Sequence, residues 1–333
     1  MDQTEAQLLG TLEKLRAPQL AEGIPSAAVL QQRIQTVIDL LVANQNDIAK
    51  ALDEDYEGRS VYLTLMSEVM QSIGHLKDAK KKLAKWMKPE KRKPLAPLGL
   101  FGSKARVRYQ PKGVVGIMSP WNFPMAMIFH PLANALAAGN RAMIKPSEYN
   151  PKTALLLEEL FARYFAEDEI VVVNGGPEAG GAFSALALDH ILFTGATSIG
   201  RMVMQSAAKN LTPVTLELGG KSPTIVSESA DLVKAAELIV AGKTMNSGQV
   251  CLSPDYVFVP EEELESFIEA ARTTFKTLYP TVAGNSDYVT VVNDGHYQRI
   301  TGYLDDARSA GCRIEALRQD PFTPPARRSP PHQ

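Results

Sequence analysis

The chain has 333 residues, 45% of them hydrophobic and 22% charged, with 35 basic against 37 acidic residues and a formal net charge of −2. This length and composition suit two globular domains or one large α/β unit, and near neutrality removes the global field by which a protein gathers nucleic acid or anionic lipid. Two cysteines, Cys251 and Cys312, cannot build a disulfide framework, which points to a reducing compartment.

The first residues, Met1-Asp2-Gln3-Thr4-Glu5, are polar and acidic and lack the basic and apolar segments of a secretory signal. Apolar runs such as 113–118 and 238–241 are too short to cross a bilayer. A cytoplasmic protein with no membrane partner and no nucleic-acid partner is expected. Residues 26–55 and 59–88 predict two amphipathic helices, the first from Val29, Leu30, Ile34, Val37, Ile38 and Leu41 at three- and four-residue steps. The second ends in Lys77, Lys80, Lys81, Lys82, Lys85 and Lys88. Such a run reads as a solvated helix face near a dipole's negative end rather than as a nucleic-acid patch.

From Pro94 the texture changes. Residues 94–102 are a Pro/Gly-rich connection and 105–109 alternate like an edge strand, so a bridging hairpin is expected at about 94–112. Strands at 113–118, 142–145, 170–173, 190–193 and 214–218 then alternate with helices at 124–138, 151–165, 178–186 and 198–208. Strand–helix alternation of this kind predicts a doubly wound parallel sheet with helices on both faces. A second unit follows, with strands at 224–226 and 256–259 and helices at 232–243, 261–277 and 294–309. The tail, 318–333, carries Pro321, Pro324, Pro325, Pro330 and Pro331 with almost no apolar content and is expected to be disordered.

Several familiar chemistries are excluded. There is no G-x-G-x-x-G, no G-x-S-x-G and no H-E-x-x-H. Gly220-Lys221-Ser222 ends like a Walker A loop, but the required first glycine falls at Thr215. The five histidines are scattered, and two cysteines make no zinc cage. What remains is a set of loop motifs. Ser119-Pro120-Trp121-Asn122-Phe123-Pro124 follows one strand and Lys145-Pro146-Ser147-Glu148 the next. The stretch from Phe193-Thr194-Gly195 through Ser198 to Arg201 joins another strand to its helix, and Leu216-Glu217-Leu218-Gly219-Gly220 ends the sheet. All four fall at the carboxyl edge, where ligands of such folds bind. A fifth, Asn246-Ser247-Gly248-Gln249-Val250-Cys251, would face that edge from the second unit.

In order and spacing these motifs resemble the aldehyde dehydrogenase superfamily throughout residues 1–310. Val107-Arg108-Tyr109-Gln110-Pro111 and Cys251-Leu252-Ser253-Pro254-Asp255-Tyr256 look like its bacterial coniferyl-aldehyde dehydrogenases. The resemblance implies a Rossmann-like NAD-binding domain over 1–215 and an incomplete α/β catalytic domain over 216–315. It implies Cys251 as the nucleophile, since a thiolate adds readily to a carbonyl; the plain alternative is a buried structural cysteine. Asn122 would supply an oxyanion donor with the Cys251 backbone N–H, or cap a helix. Glu217 would be the base that activates water on a thioester; its apolar and glycine neighbours argue against a surface carboxylate.

For the cofactor, NAD with NADP also used by relatives, the resemblance assigns Ser119, Pro120, Trp121, Lys145, Glu148, Gly195, Ser198, Leu218 and Gly219. Lys145 and Glu148 would hold the adenosine ribose, and Gly195 and Ser198 open the helix on which the pyrophosphate would lie. Trp121 has core packing as its alternative. Phe123, Met125, Met127 and Phe129 read either as an apolar substrate entrance or as core. The family's Glu-Glu-Ile-Phe-Gly-Pro run is absent, so a chain shorter than its relatives is expected. Relatives are homodimeric or tetrameric through a C-terminal strand. Two functions are therefore carried: oxidation of an aromatic or apolar aldehyde to its acid, and a remnant that at most binds dinucleotide.

Overall fold

The computed structural model describes residues 5–282 and 285–317; the proline-rich tail lies outside the described residues. Contacts divide the chain into a first unit, Met1–Ala49 with Leu65–Leu218, and a second, Lys50–Thr64 with Gly219–Gln333.

The chain opens with α1 (Glu5–Glu22), α2 (Ala27–Ala43) and α3 (Gln45–Tyr56). Helix α1 is an element that the sequence reading passed over. Its Leu8, Leu12 and Leu15 recur at four- and three-residue steps and are fully buried. The single helix expected over 26–55 is two, because Asn44 breaks it. The Asn44 backbone N–H makes the last helical bond, to Leu40 O at 3.2 Å, while its side-chain amide donates to the same oxygen at 2.7 Å and competes with helix continuation. Then come α4 (Val61–Thr64), a π-helical turn (Leu65–Met70) and α5 (Gln71–Trp86). Lys77, Lys81, Lys82 and Lys85 of α5 are exposed, Lys82 pairing with Asp78 at 2.8 Å, while half-buried Lys80 donates to Gln35 of α2 at 2.6 Å. The hairpin pairs β1 (Glu90–Arg92) with β2 (Ala105–Val107), antiparallel, so it starts before the expected Pro94.

The first unit's frame is β3 (Val114–Met118), α6 (Ala126–Ala137), β4 (Arg141–Lys145), α7 (Pro151–Tyr164), β5 (Ile170–Val172), α8 (Pro177–Ser184), β6 (His190–Gly195), α9 (Thr197–Ala208) and β7 (Val214–Leu218). The strands form one parallel sheet in the order β5-β4-β3-β6-β7. Helices α1, α8 and α9 cover one face, and α6 and α7 the other, with α2 outside them. Both β3 and β4 are buried at every position. Continuous apolar strands are what a parallel sheet covered on both faces requires. Phe183 of α8 sits directly on β3: an ideal Cβ on Gly116 would lie 2.9 Å from its ring, so the close approach needs glycine there.

The second unit holds β8 (Ser222–Ile225), α10 (Leu232–Thr244), β9 (Pro254–Phe258), α11 (Leu264–Leu278) and α12 (Asp294–Ser309), with α4. Strands β8 and β9 pair in parallel, and Val240, Ala271 and Phe275 form a small core between α10 and α11. No helix among the described residues is long and apolar enough to cross a membrane.

Candidate active site

The chain leaves β3 toward β4 on one side and returns to β6 on the other, so β3 and β6 flank the point where strand order reverses. Loops diverge there and leave a crevice at the carboxyl edge. Met118, the last residue of β3, stands in register with both Lys145 and Phe193. The loops that follow these three strands carry Ser119–Asn122, Lys145–Glu148 and Gly195–Ser198, so the fold brings these groups to one edge.

Each loop is held by its own chemistry. Ser119 is buried; its N–H donates to Lys145 O at 3.0 Å and its hydroxyl to Pro124 O at 2.8 Å, which ties the β3 exit to β4 and closes the turn. Pro120, Trp121 and Asn122 are half-buried. Asn122 does not cap α6: the N-cap position is Met125, which makes no side-chain capping bond. Instead the fully buried carboxylate of Glu68, on the π turn, accepts from Ala126 N at 2.7 Å. A carboxylate at a helix start satisfies an orphan donor and suits the dipole. Met125 and Phe129 are fully buried, which selects the core alternative for these two; Phe123 and Met127 are half-buried. His130, further along α6, stacks on His75 at 4.0 Å; burial first, and His75 second, pull its pKa down to about 4.

The Lys145 ammonium is buried, donates to Pro146 O at 3.2 Å and pairs with Glu148 at 3.7 Å. Buried charge is tolerable only when paired and hydrogen-bonded. Helix α9 begins after Ala196, whose side chain cannot cap, and Thr197 and Ser198 are exposed. Its first N–H groups and its positive dipole end are thus open to an anion. Gly195 lets the Phe193 ring pack against the backbone, since a Cβ there would lie 2.6 Å from that ring. An open helix start, a paired Lys–Glu set and a crevice between β3 and β6 together fit a dinucleotide.

Glu217 stands opposite Thr194 on β7 and is exposed. This corrects the expectation of an enclosed carboxylate. Strand β7 is the edge of its sheet, and its alternating burial turns Thr215 and Glu217 outward while Val214, Leu216 and Leu218 face the helices.

Gly219 and Cys251 belong to the second unit. Cys251 is a free, exposed thiol, which removes the structural-cysteine alternative. The loop before it runs through Asn246, Ser247 and Gly248 at φ +50°, +54° and +76°, three consecutive left-handed residues. Side chains fix it. Gln249 Nε2 donates to Asn246 O and to Thr290 O, both at 2.9 Å, while Gln249 Oε1 accepts from Val292 N at 2.9 Å. The Ser247 hydroxyl donates to Val289 O. From α4's approach, buried Arg59 donates to Asn246 Oδ1 at 3.3 Å. Sequence reasoning missed Glu68, Arg59 and the 289–292 segment; only the Asn-Ser-Gly run signalled an unusual turn. A groove of about 860 Å³ between α10 and α11 is lined by none of the motif residues. No group of three metal-ligating side chains occurs among the described residues.

The pattern of the aldehyde dehydrogenase family matches residues 26–325. A probable coniferyl aldehyde dehydrogenase of Caulobacter vibrioides is 52% identical over 314 residues, covering 94% of this chain and 65% of that protein. The coniferyl aldehyde dehydrogenase of a Pseudomonas species is 45% identical, covering 92% and 63%. Substrate-bound Staphylococcus aureus AldH superposes with a TM-score of 0.86 at 33% identity, over 90% of this chain and 65% of that one. An NAD+ complex of a Bacillus cereus aldehyde dehydrogenase gives 0.82 at 26% identity, over 93% and 63%. The chain thus spans a little under two thirds of the length of the relatives it matches. With most of its length inside the family pattern and half its residues shared with one relative, the chain belongs to the aldehyde dehydrogenase family.

Proposed function

We propose that this protein oxidises an apolar or aromatic aldehyde, of the coniferyl aldehyde kind, to the carboxylic acid with NAD(P)+. The observation that carries the reading is the open N-terminus of α9 beside the β3–β6 crevice, next to the loop that bears Asn122. The names of the relatives at 45–52% identity supply the substrate class. The cofactor falls to residues 1–215 and the thiol chemistry to 216–315, in a cytoplasmic setting that suits two free cysteines.

In this reading Cys251 Sγ, as thiolate, adds to the carbonyl carbon, and the carbonyl oxygen takes the negative charge. The Asn122 amide and the Cys251 N–H stabilise that oxygen, each such donor being worth about 3–4 kcal/mol of barrier. Bound NAD(P)+ supplies the acceptor for the hydride. Glu217 removes a proton from water, whose oxygen attacks the resulting thioester; the acid leaves and Cys251 is restored. Glu148, a carboxylate at the ribose position, favours NAD over the 2′-phosphorylated form.

Absorbance of NADH formed from coniferyl aldehyde, measured on wild type and Cys251→Ala, tests this. Turnover that the substitution abolishes is expected; turnover that survives it removes Cys251 from the mechanism. A second reading, dinucleotide binding without turnover, is favoured by the second unit's uncovered β8–β9 pair, where Ile225 is 77% and Phe258 58% exposed. A folded wild type that binds NAD+ but forms no NADH selects it.

A further inference from the structure

Arg59 is among the largest fully buried side chains, 2% exposed, and lies outside every motif of the site. Burying a guanidinium is costly unless it is hydrogen-bonded and paired or stacked. Here the guanidinium lies 4.8 Å over the Tyr56 ring, and the backbone N–H of Arg59, separately, donates to Asp53 Oδ1 at 2.9 Å. Its outer nitrogen Nη1 donates to Asn246 Oδ1. Asn246 opens the left-handed run that leads to Cys251, and each non-glycine residue in that region costs about 1 kcal/mol or more. A strained conformation persists only where its surroundings over-determine it. The surroundings here are Arg59 on one side and the 289–292 segment on the other, which is itself tied back to Tyr56 O and Gly58 O by Thr290.

We infer that Arg59 is a positioning residue for the thiol: through Asn246 it holds the strained loop in the one conformation that presents Cys251 for attack. The inference rests on the reading of Cys251 as nucleophile. The guanidinium's planar donors and its stacking on Tyr56 make it a rigid support, which a flexible ammonium cannot replace.

The test uses the two free thiols of one molecule, because Cys312 is also exposed and serves as an internal clock. The full chain is alkylated with iodoacetamide across a pH series, and modification of Cys251 and Cys312 is followed by peptide mass spectrometry. In wild type Cys251 reacts faster. Arg59→Met and Asn246→Gly, which deletes the acceptor while easing the backbone, each lower the Cys251-to-Cys312 rate ratio about tenfold or more, as small misplacements of reacting groups do. They lower kcat with little change in KM, and Arg59→Lys recovers only part of the loss. Should Arg59→Met fail to fold, Asn246→Gly and Arg59→Lys carry the test. A ratio and pH profile unchanged in folded variants overturn the role of Arg59 alone. A wild-type Cys251 no more reactive than Cys312 overturns the nucleophile reading, and the inference with it.

Discussion

The two units contain parallel sheets that are stabilised differently. In the first, β3 and β4 are buried along their whole length, and one core runs from Leu8, Leu12 and Leu15 of α1 through Met143 and Phe183 to Ala207 of α9. In the second, β8 and β9 are only partly covered, and the loop before Cys251 is held in a polar mesh of Arg59, Asn246, Gln249 and the 289–292 backbone. The lesson concerns where rigidity comes from. A doubly wound sheet obtains it from area removed from water, whereas a loop that must leave a thiol exposed obtains it from directional bonds.

The strongest way to break this comparison is to empty the first core. Phe183→Ala is expected to destabilise the first unit by about 3–5 kcal/mol, read as a lower urea midpoint with faster hydrogen exchange in β3 and β4; a loss below 1 kcal/mol would mean the core is looser than its burial implies. A smaller effect comes from acid. His130 is held neutral by burial and by His75, with its pKa down at about 4, while the unfolded chain takes up that proton near pH 6.5. Proton uptake therefore favours the unfolded state, so stability is full above about pH 6.5 and falls as pH drops toward 4, where the loss levels off. His130→Gln should flatten this part of a plot of Tm against pH; an unchanged slope assigns the loss elsewhere. The smallest effect sharpens the contrast from the other side. Phe258→Ala, at a 58% exposed position, should change stability by no more than about 0.5 kcal/mol, and a larger loss would show that β9 is covered in solution.

How much of this was legible depended on the range of the forces involved. The inner strands of the first sheet were readable because runs such as Val114–Met118 have no polar side to blur the pattern. Helix α1 carried the signal in its three leucines, but Gly10 and Pro18 within it and a polar surround weakened it. The break at Asn44 depends on one side chain bonding back four residues, which no periodicity reports. The positions of Ser119, Lys145 and Gly195 followed from the rule for carboxyl edges, and the register of β3 with β4 and β6 bears out their shared edge. The exposure of Glu217 did not follow, because its neighbours in sequence say nothing about β7 being an edge strand. Arg59 was invisible for the same reason on a longer scale: its partner Asn246 is 187 residues away.

That separation has a consequence for how the molecule is made. Thr290 joins Tyr56 across 234 residues, which at ribosomal speeds of about 5–20 residues per second takes roughly 10–50 s to synthesise. Until the 289–292 segment is made, the bonds that tie residue 290 back to Tyr56 and Gly58 cannot form. Gln249 precedes its partner Thr290 by 41 residues, or roughly 2–8 s on the same scale. The loop before Cys251 therefore gains its bonds to the 289–292 backbone only after that later segment has been made.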